Sequence, residues 1–461
     1  MPSAKAILKS LYGFQKSGIV RLLQSNSLLL ADDMGLGKTV QALVAMDTLF
    51  QMGAVERAIV VCPTSLMINW QRECRKWART RAAVLYRGSD RYGLLGSRIP
   101  VLICSFETIT QDWRLQSADG TRFFDTGIDL IIVDEAQRLK NPESMRSKVI
   151  SRAMVPRRWA LSGTPLENRP EELGSVLRFL LPNEFSDKEQ ISGYEHILRV
   201  RDTTMLRRSK KEVLAELPDK VVGEVLVEMT PPQRSEYSAE LAKIWKRFRA
   251  LGNAPGAKRR NMLLGGIQRL RRISVLSSDC VSSGKLDYLE DEVSELVAAG
   301  EKVVIFSTFA NQVLSTAAAR LKEHGVVVYR GDMSLAQREE ANRAFREDKG
   351  AMIMLASTMA AGVGLTWTVA RYVYQLDLWW NPQVLAQAED RVHRIGQERG
   401  VFVKRLVSAQ SIEEGISNLL RRKAAIFNMV VEDASVSELD SGMTEHALLK
   451  ILRISDEQPL A

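Results

Sequence analysis

Residues 28–39 read LLLADDMGLGKT: an apolar run, two aspartates, then Met34-Gly35-Leu36-Gly37-Lys38-Thr39. The apolar run predicts a buried strand over 28–31, and the two glycines predict a tight turn followed by a helix. Strand, glycine turn and helix in that order make a cradle for phosphate oxygens, with backbone amides curling inward and a helix N-terminus facing the anion. The turn itself is Asp33, Met34, Gly35, Leu36 and Gly37. Lys38 can reach terminal phosphates, and Thr39 can offer its hydroxyl to Mg2+. Asp32 stands where the simple GxxxxGK[ST] pattern begins with glycine. A Gly-rich surface turn is the competing reading, and the order of the flanking elements weighs against it.

Working outward, short apolar runs recur at 58–62, 101–104, 130–134 and 159–162, then at 303–307, 326–330, 351–357, 372–377 and 401–407. Each is nearly continuous in apolar character, as a parallel strand covered on both faces should be. Helical stripes separate them, at 171–181, 285–297 and 311–323, the last followed by Gly325 as a C-terminal cap. Alternation on this scale predicts an α/β protein with two parallel sheets flanked by helices. The stretch 183–300 reads as mostly helical and basic, which puts the boundary near Lys220. The expected division is 1–220 and 221–461, with a basic helical insertion at about 231–280.

The run 130–137, LIIVDEAQ, ends in two acids at the carboxyl tip of its strand. Burying such charges is costly unless a cation or substrate meets them there. Asp134 suits the hydration shell of Mg2+, and Glu135 suits positioning and deprotonating an attacking water.

Composition narrows the class. A chain of 461 residues, with 45% hydrophobic and 26% charged residues, excludes disordered and low-complexity proteins and leaves room for about two to four domains. No run approaches the ~18 apolar residues of a membrane span, and the start MPSAKAILKSLYGF does not read as a secretory signal. The four cysteines form no CxxC pair and none lies beside a histidine, so neither a zinc site nor a disulfide framework is expected, and a reducing compartment fits. The net charge is +9, and residues 243–272 alone hold ten basic and no acidic residues. That block accounts for the whole excess. It reads either as a solvated helix face or as contact with a polyanion such as nucleic acid. Within it, Lys258, Arg259 and Arg260 lie beside turn signals and are expected on a loop. Arg269, Arg271 and Arg272 are expected on a packed helix, facing phosphates or pairing with the acids at 290–292 or Glu295. Trp70 and Trp77, seven apart, read as packing residues.

The order and spacing of the motifs resemble the Swi/Snf-like branch of the superfamily-two helicase-like ATPases. The matching pieces are Gln15 ahead of LADDMGLGKT, VVCPTSLMINW (60–70), VDEAQRLKN (133–141), LSGTPLEN (161–168) and LRRSKKEVLAELPDK (206–220). They continue with VVIFSTF (303–309), STMAAGVGLTWTVA (357–370), LDLWWNPQVLAQAEDRVHRIGQ (376–397) and SIEE (411–414). The resemblance covers residues 11–430.

It implies two RecA-like lobes with ATP between them. Gln15 would read the adenine, Lys38 and Thr39 would hold phosphates and metal, and Asp134 with Glu135 would do the metal and water work. Arg391 and Arg394 would be arginine fingers one helical turn apart, His393 would support them, and Gly362 would sit in a loop touching both ATP and nucleic acid. Thr64, Ser65, Ser357 and Thr358 match positions that grip strand phosphates, which position without reading sequence. A histidine often occupies the Gln137 position in this branch, yet Gln137 can still exchange hydrogen bonds with the segment beginning Ser162-Gly163. Residues 231–280 match only loosely. The implied activity is a DNA-stimulated ATPase that tracks along double-stranded DNA and remodels DNA or bound protein. A strand-separating helicase and an inactive DNA-binding scaffold are the alternatives. The resemblance leaves room for other protein subunits or domains as partners, and none for a membrane. The setting leans prokaryotic or viral, hence cytoplasmic, or nuclear in a eukaryote.

Overall fold

A computed structural model of the chain describes residues 10–85, 99–119, 127–153, 155–163, 170–185, 194–214, 217–252, 254–360, 365–431 and 445–454. The chain divides into residues 1–216 and 217–461.

The first unit is built on seven strands: β1 (Ser27–Leu30), β2 (Ala58–Cys62), β3 (Ala82–Val84), β4 (Val101–Ser105), β5 (Leu130–Asp134), β6 (Arg157–Leu161) and β7 (Met205–Leu206). All pairings are parallel, and the spatial order is β3-β4-β2-β5-β6-β1-β7. Every residue of β2, β4 and β5 is buried, which is why these runs carry no polar alternation. Strand register decides where the site lies. Leu30 of β1 pairs with Leu161 of β6, and Asp134 of β5 pairs with Leu161 as well. The residues that follow these three strands therefore emerge side by side at one edge, the place where open parallel sheets bind ligands.

The second unit carries β8 (Lys220–Val227), β9 (Val303–Ser307), β10 (Val326–Tyr329), β11 (Ile353–Ser357), β12 (Tyr372–Gln375) and β13 (Val401–Ser408), all parallel, in the order β10-β11-β9-β12-β13-β8. Helices Gly284–Ala298 and Val313–Arg320 pack on one side, and Gly325, at φ 67°, closes the short turn after the latter. Strands β3, β7 and β8 escape the apolar-run criterion. The first two are three and two residues long, and β8, KVVGEVLV, is mostly exposed at the edge of its sheet.

The basic stretch is a pair of 20-residue helices, Pro231–Ala250 and Gly256–Val275. Lys258, Arg259 and Arg260, expected on a loop, lie in the first turns of the second helix, which Pro255 starts. Arg259 stays there by donating to the Gly252 carbonyl at 2.7 Å and lying over the Phe248 ring. The three later arginines do not face the acids at 290–295. Arg269 pairs with Glu240 at 2.5 Å, Arg272 with Glu236 at 3.7 Å, and Arg271 is wholly buried against Asp377 at 3.4 Å. Arg271 also donates to the Leu378 carbonyl and lies against the rings of Phe309, Trp379 and Trp380. Its job is to hold a core together. Besides Arg269, the exposed cations of the pair are Lys243, Lys246, Arg247, Arg249, Lys258 and Arg260, and no ion pair engages these six among the described residues.

Candidate nucleotide and catalytic site

In the first unit the turn after β1 is left-handed at Gly35 (φ 85°) and Gly37 (φ 76°), and helix Lys38–Gln51 starts at once, with Thr39 in its first turn. No other residue type enters that backbone region without strain. Lys38 donates from Nζ to the Asp32 carbonyl at 2.6 Å and the Asp33 carbonyl at 3.2 Å. Burial lowers its pKa, and the carboxylates of Glu135, Asp32, Asp134 and Asp33 oppose that shift. Gly163, just past β6, comes so close that a Cβ there would lie 2.5 Å from Met34 and 3.3 Å from Lys38 Nζ. Gln15 is buried on the other side of the turn. It accepts from the Tyr12 amide at 3.1 Å and donates to the Leu36 carbonyl at 3.2 Å.

Asp134 and Glu135 follow as the tip of β5. The Asp134 carboxylate accepts from Trp70 Nε1 at 2.8 Å and from the Glu135 amide at 2.9 Å. Burial, with the like charge of Glu135 beside it, pushes its pKa up to about 7; the two hydrogen bonds and Lys38 pull the other way. Glu135 itself is left-handed at φ 53°, a conformation costly for a side chain with a Cβ and concentrated at functional sites. Gln137 donates from Nε2 to Glu135 at 2.5 Å and accepts from the Ser162 hydroxyl at 2.8 Å. Lys38, Asp134, Glu135, Gln137, Ser162 and Gly163 thus meet at the ends of three adjacent strands. Residues 164–169, the rest of that segment, lie outside the described residues.

In the second unit, helix Pro382–Glu389 stops short of both arginines. Arg391, Val392 and His393 follow in turns, outside the regular helix, whose amides bond three or four residues back. Main-chain carbonyls hold the two arginine side chains. Arg391 donates to the Gln387 carbonyl at 3.2 Å, and Arg394 to the Leu365 carbonyl at 2.6 Å and the Thr366 hydroxyl at 3.0 Å. His393 donates from Nε2 to the Pro218 carbonyl at 2.8 Å, tying this segment to the approach of β8. Gly362 lies outside the described residues.

The four expected strand-gripping residues differ in access. Thr64 and Ser65 are exposed, whereas Ser357 and Thr358 are buried at the end of β11, where the Thr358 amide bonds the Ser307 carbonyl. Trp70, read as a packing residue, is buried and also grips Asp134, so packing is half its role. Its inclusion in VVCPTSLMINW was the available signal. Asp32, Gln41 and Arg208 form a further cluster that sequence reading left unconnected.

A model of the SNF2-related domain matches residues 14–276, and one of the helicase conserved C-terminal domain matches 284–396. An uncharacterized ATP-dependent helicase of Mycoplasma pneumoniae is 30% identical, over 96% of this chain and 44% of that protein. Protein CHROMATIN REMODELING 4 of Arabidopsis thaliana is 29% identical, over 88% of this chain and 20% of that protein. The chain thus spans less than half the length of these two curated relatives. A solved Sulfolobus solfataricus SWI2/SNF2 ATPase core in complex with dsDNA is 27% identical, covering 96% of this chain and 97% of that one at a TM-score of 0.44. No helix among the described residues is long and apolar enough to cross a membrane. With the SNF2-related model alone taking in more than half of its residues, the chain belongs to the SNF2-related family, the Swi/Snf-like branch of the superfamily-two helicases.

Proposed function

We propose that the chain is a motor that hydrolyses ATP and uses the cycle to move along double-stranded DNA, remodelling DNA or bound protein without obligatory strand separation. The observation that carries the hydrolytic part is the run of contacts Ser162–Gln137–Glu135 beside Asp134 and Lys38, at the ends of β6, β5 and β1. Glu135 orients the attacking water and accepts its proton, and Gln137 keeps that carboxylate aimed. Lys38 leaves the Asp32 and Asp33 carbonyls for the terminal phosphates, and Gln15 meets the base. Arg391 and Arg394 are the guanidinium groups suited to the charge that spreads over a transferred phosphoryl group.

The donor set fits Mg2+: one carboxylate and one hydroxyl, hard oxygens both. Among the described residues no three His, Cys, Asp or Glu side chains gather into a cage, and a Mg2+ completed by phosphate oxygens needs none. Asp134 and Thr39 would hold it, and it would neutralise phosphate charge. The exposed cations of the helix pair 231–275 support a polyanionic track, with Thr64 and Ser65 as further phosphate contacts.

Steady-state ATP turnover with and without linear duplex DNA tests the reading, together with displacement of a third strand from a triplex. Duplex-stimulated turnover and triplex displacement, with no separation of the duplex strands, are the expected results. Equal turnover in both conditions would remove DNA from the mechanism, and duplex unwinding would replace the translocase with a helicase.

A further inference from the structure

Asp32 occupies the position where a simple phosphate loop begins with glycine, and its side chain is wholly buried. Arg208 answers it with two bonds, from Nε at 2.9 Å and from Nη2 at 2.5 Å. The same guanidinium donates to Gln41 Oε1 at 2.9 Å and to the Phe14 carbonyl, and lies over the Phe14 ring. Gln41, on the helix that leaves the loop, donates back to Asp32 at 3.1 Å. Room for the cluster comes from Gly18, where a Cβ would lie 1.9 Å from Gln41 Oε1 and 2.7 Å from Arg208 Nη2.

Main-chain bonds run parallel to this lock. The amides of Ala31 and Asp33 donate to the carbonyls of Leu206 and Arg208, and the Lys210 amide donates to the Asp33 carboxylate at 3.0 Å. The segment after β7 therefore grips both aspartates of the loop. Those aspartates supply the carbonyls on which Lys38 rests.

We propose that Arg208 is a positioning residue of the nucleotide site, acting through Asp32 to hold the loop and the resting place of Lys38. A planar fork is needed for this, since an ammonium cannot meet both carboxylate oxygens, Gln41 and a carbonyl together. Asp32 is the other half of the device: the carboxylate gives the loop a fixed strut where glycine would leave it loose.

The proposal rests on reading residues 33–39 as a nucleotide site, so Lys38→Ala is the control for that reading. Equilibrium binding of a fluorescent ATP analogue and thermal melting would be measured on the full chain for Arg208→Lys and for the charge-neutral pair Asp32→Asn with Arg208→Gln. Both variants avoid leaving a lone buried carboxylate. The expected result is a melting temperature close to the parent's with a dissociation constant raised about 10–100-fold, the scale of loss when partners that orient metal ligands are removed. Parent-like affinity in Arg208→Lys and the neutral pair, with affinity lost in Lys38→Ala, would overturn the positioning role while leaving the nucleotide site standing. Affinity lost only in step with melting temperature would overturn it too, reducing Arg208 to a structural strut. Unchanged affinity in Lys38→Ala would overturn the nucleotide reading, and this proposal with it.

Discussion

Glu135 stands in a left-handed conformation with its carboxylate held by Gln137, so its charge and aim can be separated by substitution. Glu135→Gln keeps the size and removes the charge: hydrolysis should fall by several orders of magnitude in a single-turnover assay while ATP affinity barely moves. Near-parental turnover would remove it from the chemistry. Asp134 makes the opposite bargain between stability and function. Its folded pKa, about 7, lies above that of an ordinary carboxyl, so between about pH 4 and 7 the folded chain holds a proton that the unfolded chain has released. The carboxyl therefore costs stability increasingly as pH rises through that window, and the cost levels off above it. Asp134→Asn should abolish hydrolysis yet raise the melting temperature of the metal-free chain above pH 7, by about 2–4 °C for each kcal/mol relieved, with the gain vanishing near pH 4. A melting temperature unchanged or lowered at pH 8 would contradict the buried-charge account. At this scale the sequence was legible where chemistry follows local order: a strand end, a turn, a helix start. It was silent on Trp70–Asp134 and Arg208–Asp32, pairs 64 and 176 residues apart, because only strand order brings those side chains together.

Helices Pro231–Ala250 and Gly256–Val275 show the same division within one element. Charge counting found the block, and packing divides its cations into two groups that composition cannot separate. Lys246 lies on the face opposite Tyr237, Leu241 and Ile244, which are buried, and Lys243 and Arg247 flank it, so all three cations are exposed. Changing Lys243, Lys246, Arg247 and Arg249 together to Gln should weaken duplex binding for every sequence alike. The log–log salt dependence should flatten by about one to three units, since each phosphate contact contributes about 0.9. DNA-free ATP hydrolysis and melting should stay as they were; an unchanged salt slope would return this face to solvent. Arg271→Gln should do the reverse. Removing a buried guanidinium leaves Asp377 without its cation, at a cost on the order of 3–5 kcal/mol seen as a lowered melting temperature. A parent-like melt would deny Arg271 its place in the core.

At the scale of the whole molecule, two runs of buried parallel strands were enough to foresee two α/β units, because strands covered on both faces must be apolar throughout. The edge strand β8 was not foreseen, and for the same reason: Val221, Val222 and Leu226 are exposed, so nothing in their spacing marks a buried run. Its pairing has a consequence for synthesis. Among the described residues, the first unit has its seven strands by Leu206, whereas β8 pairs with β13 alone, and Lys220 meets Val401. On the ribosome, then, the first strand of the second unit must wait for the last one to emerge, and an apolar strand edge left waiting invites association with other nascent chains. Chains arrested after residue 400 should carry a protease-resistant first unit and a second unit that is cleaved or captured by chaperones. Extending the arrest point past β13, with enough further chain to clear the exit tunnel, should abolish that capture in one step. Gradual protection with length would instead mean that β8 finds shelter before its partner exists.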